Sequence, residues 1–214
     1  MKINFLGDSI TAGAGAEKVE NMYTYLVAKR FCAQECNFGV CGTRIAKQVR
    51  RTQNPDDDVF MRRALLMDKD ADFTFVLGGT NDYGHGDAVL GSFGDSDDYT
   101  FYGAFDNLVE YLKGTFGKKL CFVLPLPRYD QNNPFGDGSK VVAGATLAEY
   151  IRAEKEVLDS YGVDYLDLSA DFPVPVTNIG DELTMDGLHP NPKGHKLIAD
   201  RLIFYLESKG LRIE

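Results

Sequence analysis

The chain has 214 residues, 44% of them hydrophobic, 26% charged and 12% aromatic. This balance excludes a disordered chain, a collagen-like repeat and a small disulfide scaffold. Its 23 basic residues against 32 acidic ones leave a formal charge of −9, and the cations are scattered, so a nucleic-acid partner is not expected.

No run approaches the roughly 20 apolar residues of a membrane span, so no membrane partner is expected either. Met1-Lys2-Ile3-Asn4-Phe5 reaches a Gly-Asp pair too soon for a signal-peptide apolar stretch. The expected location is therefore cytoplasmic, with a trimmed leader as the alternative. Cys32, Cys36, Cys41 and Cys121 lack paired zinc-ligand spacing and read as buried reduced thiols. Without internal repeats or linkers, residues 1–214 read as one domain, and a chain of this length buries roughly 70% of its unfolded surface.

In chain order, short apolar runs predict strands at 2–6, 35–38, 72–77, 119–124 and 163–168. Being apolar on both faces, they suit a sheet covered on both sides. Between them, Phe101, Ala104, Phe105, Leu108, Tyr111 and Leu112 recur at helical spacing, with Gly114 as a stop. Leu147, Ile151 and Leu158 mark a second helix. Asn191-Pro192 resembles a helix cap followed by a first-turn proline, with Ile198, Leu202 and Tyr205 as its apolar stripe. Alternating strands and helices predict an α/β fold, a parallel sheet of about five strands between helical layers. Ligands in such folds bind beyond the carboxyl ends of the strands. The loops there are 7–15, 39–44, 78–98, 125–144 and 169–191.

The first loop reads Gly7-Asp8-Ser9-Ile10-Thr11. A serine on a tight strand-to-helix turn exposes its hydroxyl while its own N–H faces the same space, which suits a nucleophile that also holds an oxyanion. Alone, the motif is equally a turn with a helix cap. Thr11 replaces the second glycine of Gly-x-Ser-x-Gly, which excludes the α/β-hydrolase elbow. In the last loop, Asp186-Gly187-Leu188-His189-Pro190 sets a carboxylate three residues from an imidazole, the pairing a general base needs. The second loop, within Asn37-Phe38-Gly39-Val40-Cys41-Gly42-Thr43, has glycines that allow close backbone approach, and Gly78-Gly79-Thr80-Asn81-Asp82 presents an amide; a backbone N–H and an amide are the donors an oxyanion requires.

Taken together and in this order, the four blocks resemble those of the GDSL, or SGNH, hydrolase superfamily. The resemblance spans nearly the whole chain and implies a flavodoxin-like α/β/α sandwich that hydrolyses esters without a metal or cofactor. It implies Ser9 as nucleophile, His189 as base and Asp186 as its partner, with the Ser9 and Gly42 N–H groups and the Asn81 amide as the oxyanion hole. The first block has Ile10 where the family name has Leu.

The substrate is less legible. Tyr83, His85 and Arg128, in two irregular segments, 83–100 and 128–144, are candidate substrate contacts, as is Asp8 in the first loop. His85 lacks a local carboxylate and reads as a binding or surface residue, and His195 as a packing or exposed residue. Tyr99, Phe101 and Tyr102 either stack on a sugar or begin the next helix's core face. The acidic surface disfavours polyanionic substrates, which leaves short-chain esters such as acetyl groups on carbohydrates. Lysophospholipid or acyl-thioester hydrolysis is the alternative. The oligomeric state is open, and a homodimer is compatible. Gly13-Ala14-Gly15, and acidic runs such as Asp56-Asp57-Asp58 and Asp97-Asp98, suggest a nucleotide- or metal-binding flavodoxin-like module as the non-enzymatic alternative, although Pro55 before the first run favours a helix start. Lys18 replaces the third glycine, and no spaced calcium-ligand pattern exists.

Overall fold

The computed structural model describes residues 1–50, 58–178 and 180–211. Its centre is a parallel sheet of five strands, β1 (Lys2–Gly7), β2 (Gln34–Gly39), β3 (Phe73–Leu77), β4 (Leu120–Val123) and β5 (Asp164–Leu166), in the order β2-β1-β3-β4-β5. The helices are α1 (Tyr23–Arg30), α2 (Phe60–Ala64), α3 (Thr80–Gly84), α4 (Phe101–Phe116), α5 (Leu147–Tyr161) and α6 (Pro192–Ser208).

Alternation along the strands sorts two cores. Leu6, Val76 and Phe122 point to the side covered by α2, α4 and α5, where Phe101, Phe105, Tyr150 and Leu158 are buried. Phe5, Phe75, Cys121 and Val123 point to the side covered by α1 and α6, against Val27, Ile198 and Leu202. This doubly covered sheet is the expected three-layer sandwich.

All three predicted helices are present, two of them with an adjustment. α4 continues past Gly114 to Phe116, because the residue that leaves the helical region is Gly117, at φ +57°. In α6, Leu206 is fully buried and Tyr205 only partly so, since the 3.6-residue period carries the buried stripe to the next position. Phe101 and Tyr102 begin the buried face of α4, which settles them as core rather than sugar-stacking residues. Pro55, Asp56 and Asp57 lie outside the described residues, and the nearby α2 begins at Phe60. The cysteines are unpaired as expected, but Cys121 alone is buried, while Cys32 and Cys41 are exposed. They occupy the end of α1 and a strand-end loop, where the chain meets solvent. Among the described residues, no helix is long and apolar enough to cross a membrane.

The register places the ends of the first three strands side by side. Gly7 pairs with Gly39 on β2 and with Leu77 on β3. In this strand order the crossovers reverse between β1 and β3, opening a crevice at that rim. The loops carrying Ser9, Gly42 and Asn81 all begin there.

Candidate active site

The Ser9 turn is built by its neighbours. The Asp8 carboxylate accepts the Ile10 N–H at 2.9 Å, and Ala12 N–H and Ala14 N–H close a helical turn on Asp8 O and Ser9 O, each at 2.9 Å. Only glycine fits at position 7, where a Cβ would stand 1.9 Å from Thr11 Oγ1. Thr11 in turn shares a 2.8 Å hydrogen bond with the Tyr23 hydroxyl. The residue that breaks the Gly-x-Ser-x-Gly pattern therefore anchors the turn to α1.

Across the rim, Gly187 takes φ +82°, and a Cβ there would meet Thr177 O at 2.5 Å. The tight turn lets Asp186 Oδ1 accept the N–H groups of Leu188 and His189, at 3.0 and 2.7 Å. Asp186 Oδ2 lies 2.7 Å from His189 Nδ1, and His189 Nε2 lies 3.0 Å from Ser9 Oγ. With the proton on Nδ1 donated to the carboxylate, Nε2 is free to accept from the serine hydroxyl. Partial burial pushes the Asp186 pKa up, but its bonds to the His189 ring and backbone prevail and hold it below the usual carboxylate value. Asn191 accepts from Lys193 N–H and Gly194 N–H to cap α6, with Pro192 at its start, and so fixes the far end of the His189 loop.

Gly42 takes φ +74° on the second loop. The Asn81 amide donates to Thr43 O at 3.0 Å, which leaves its second N–H available. Asp82, beside it, accepts Ile45 N–H and Ala46 N–H, both at 2.9 Å. Arg63 completes the scaffold by donating to Gly7 O and Phe38 O, the ends of β1 and β2, and to Thr43 Oγ1 at 2.7 Å. Neither Asp82's clamp nor Arg63's role is legible in sequence. Asp82 stands within the third block, but nothing about Arg63 marks it, because its acceptors, two carbonyls and the Thr43 hydroxyl, come from distant segments.

Two buried carboxyls lie behind these loops. Burial pushes the Asp8 pKa up to about 6, opposed by its bond to Ile10 N–H and the nearby His189 and Arg63. Burial does the same to Asp82, also to about 6, against its two backbone bonds.

Three proposed substrate contacts need correction. Asp8 is fully buried, as its turn-building role requires. Tyr83 is also fully buried, and its hydroxyl donates to the carbonyls of Asp130 and Asn133. Arg128 is 2% exposed and forks onto Asp130, at 2.5 and 2.9 Å, with a further bond to Thr80 O. These polar groups hold loops together because a buried donor or charge without a partner is costly. His85 does line a cavity, and its Nε2 lies 3.2 Å from Gly42 O. The carboxylate absent from its local sequence arrives from afar, with Asp137 Oδ2 at 3.7 Å from Nδ1. His195 is wholly buried, bridging Tyr23 N–H and Ala14 O and stacked on the Tyr23 ring. Among the described residues, no group of three or more His, Cys, Asp or Glu side chains is placed to hold a metal ion.

The family model of the GDSL-like lipase/acylhydrolase family matches residues 5–197, from β1 into α6, and so includes every block at this rim. The chain belongs to that family. Membership places it among ester-hydrolysing enzymes. A crystal structure of a protein from Lactobacillus plantarum is similar over 97% of this chain and 96% of its own, at 30% identity and a TM-score of 0.80. A carbohydrate acetylesterase family member from Sinorhizobium meliloti shares the fold over 97% and 98% of the two chains, at 17% identity and a TM-score of 0.64. An acetylxylan esterase from Xylanibacter ruminicola is 33% identical over 84 residues, 39% of this GDSL-like chain. That stretch spans only 15% of the xylan esterase's length.

Proposed function

We propose that residues 1–214 act as one serine-esterase domain in which Ser9 is the nucleophile, His189 the general base and Asp186 its orienting partner. The observation that carries this reading is the relay of 3.0 Å from Ser9 Oγ to His189 Nε2 and 2.7 Å from His189 Nδ1 to Asp186 Oδ2. Ser9 Oγ attacks the ester carbonyl as Nε2 takes its proton, and Asp186 stabilises the imidazolium. The Ser9 and Gly42 N–H groups and the Asn81 amide receive the negative charge that develops on the carbonyl oxygen. Collapse expels the alcohol with the proton held on Nε2. Water, deprotonated by the same nitrogen, then cleaves the acyl-Ser9 ester and returns the serine.

The acyl group we propose is short, an acetyl on a carbohydrate, and the chemistry calls on no metal or cofactor. Support comes from the acetylxylan esterase likeness and from the acidic surface, which suits a neutral sugar better than a polyanion. The test is hydrolysis of nitrophenyl esters of increasing acyl length and of acetylated sugars, with Ser9→Ala as blank, alongside fluorophosphonate labelling. Rates that fall beyond acetyl and labelling confined to Ser9 are expected. Full turnover by Ser9→Ala overturns the mechanism. Preference for long acyl chains or thioesters overturns the substrate.

A further inference from the structure

Tyr129 is the one exposed residue in the stretch 121–130, which starts within β4 and continues into the fourth strand-end loop. Arg128 and Asp130 on either side are buried, whereas Tyr129 is 38% exposed. The backbone around it is pinned. Arg128 donates to Thr80 O at 3.1 Å, at the start of α3, and the Tyr83 hydroxyl donates to Asp130 O. Tyr129 N–H itself donates to Gly187 O at 3.1 Å. Its ring lies against the same glycine, with Cδ1 3.0 Å from where a Gly187 Cβ would stand. An aromatic side chain is thus held in place and left partly open to solvent.

Gly187 connects this ring to the reaction centre. It follows Asp186 and stands two residues before His189, whose Nε2 lies 3.0 Å from Ser9 Oγ. Met185, also exposed, borders the same turn, with its N–H donating to His189 O at 2.9 Å. In the proposed reaction His189 Nε2 carries the proton to the departing oxygen, so the alcohol half of the ester lies on the His189 side. The carbonyl oxygen instead faces the Gly42 and Asn81 donors. A ring packed on the Gly187 turn therefore meets the alcohol rather than the acyl group.

We propose that Tyr129 is a specificity-determining residue, the platform on which the alcohol half of the ester packs, and that this half is a pyranose ring. The proposal rests on the Ser9 reading and deepens it by naming what receives the alcohol. A pyranose presents a flat face of C–H groups, and the negative face of an aromatic ring attracts their partial positive charge. An open-chain alcohol has no such face and must also lose torsional freedom to lie flat. Tyrosine covers a large area with only two torsions to fix. The ties of Arg128, Tyr83 and the Tyr129 N–H hold the backbone before substrate arrives, so little further ordering is needed on binding. Phe101 and Tyr102 are core residues of α4 and offer no ring to a sugar.

The test compares kcat/KM for an acetylated methyl glucopyranoside with kcat/KM for glycerol monoacetate, two esters with the same acyl group, in the parent, Tyr129→Phe and Tyr129→Ala. The pyranoside-to-glycerol ratio is expected to fall roughly fivefold in Tyr129→Ala, through KM, because stacking acts on ground and transition states alike. Tyr129→Phe keeps the ring and should hold the ratio within about twofold of the parent. A merely structural role of the ring lowers kcat for both esters together and leaves the ratio standing. An unchanged ratio in Tyr129→Ala, or an equal loss in Tyr129→Phe, overturns the proposal. Both esters are read on one preparation, so a partly unfolded variant does not distort the ratio. Tyr129→Leu, which fills the space against Gly187 without an aromatic face, gives the same reading if the alanine variant does not fold. Titration of the Ser9→Ala protein with the pyranoside, with and without Tyr129→Ala, reads the platform in the absence of turnover, and equal affinities there also overturn it. Hydrolysis that does not depend on Ser9, beside binding that still depends on Tyr129, counts against the esterase mechanism alone, so the two failures are distinguishable.

Discussion

The Asn81 side-chain amide donates to the Thr43 carbonyl at 3.0 Å and so ties the third strand-end loop to the second. One N–H of the amide is spent on this bond, and the other is the donor proposed for the oxyanion hole. Asn81→Ala is therefore expected to lower kcat by about 10²–10³ with little change in KM, because the lost donor acts mainly on charge present in the transition state. The same substitution strands Thr43 O, and a stability loss of about 1 kcal/mol is expected in urea melts. A variant with unchanged kcat removes Asn81 from the oxyanion hole.

In the proposed triad His189 and Asp186 act as a unit, so their substitutions should not add. His189→Ala is expected to cost on the order of 10⁴ or more in kcat, and Asp186→Asn on the order of 10³, since an amide neither fixes the Nδ1–H tautomer nor balances the imidazolium. The double variant should be scarcely worse than His189→Ala. Steady-state kinetics on a nitrophenyl acetate checks this, and simple multiplication of the two losses counts against a shared role.

Arg63 is expected to matter more for stability than its place outside the motifs suggests. Its guanidinium reaches Gly7 O, Phe38 O and Thr43 Oγ1, and the side chain is 7% exposed. A lysine presents a single ammonium centre and does not span three separated acceptors as a planar fork does. Arg63→Lys should lose about 2–4 kcal/mol, measured by denaturant unfolding, because buried acceptors are left without donors. A cost below 0.5 kcal/mol contradicts this account.

Glu154 sets a pH dependence of stability. It is 2% exposed, its Oε1 has no hydrogen-bond partner among the described residues, and it faces the acidic Asp82. Burial, and then Asp82, raises its pKa well above the ordinary 4.5. The folded state thus holds a proton that the unfolded chain has released. The stability this provides is full below the unfolded value and is lost as pH rises through the folded one. Glu154→Gln removes that titration. Melting temperatures measured from pH 5 to pH 8 should fall less for the variant than for the parent, and parallel curves would show that Glu154 does not titrate in this way.

Much of this molecule follows from local pattern. Short runs apolar on both faces announce a covered parallel sheet because every strand must bury both sides. Ser9, Gly42, Asn81, Asp186 and His189 are legible because turn chemistry is local: a Gly-Asp-Ser turn or an Asp-x-x-His turn carries its geometry within a few residues. The Asp186–His189 distance of 2.7 Å needs only the Gly187 turn.

What only the tertiary structure decided are the contacts between residues that no local spacing relates. Tyr83 and Arg128 look like ligand-binding side chains in sequence, yet both are buried as ties between loops, because a side chain's exposure depends on what packs over it. His85 finds Asp137 and Gly42 O across long separations, and Arg63 finds acceptors at the ends of two strands and on the loop beyond them.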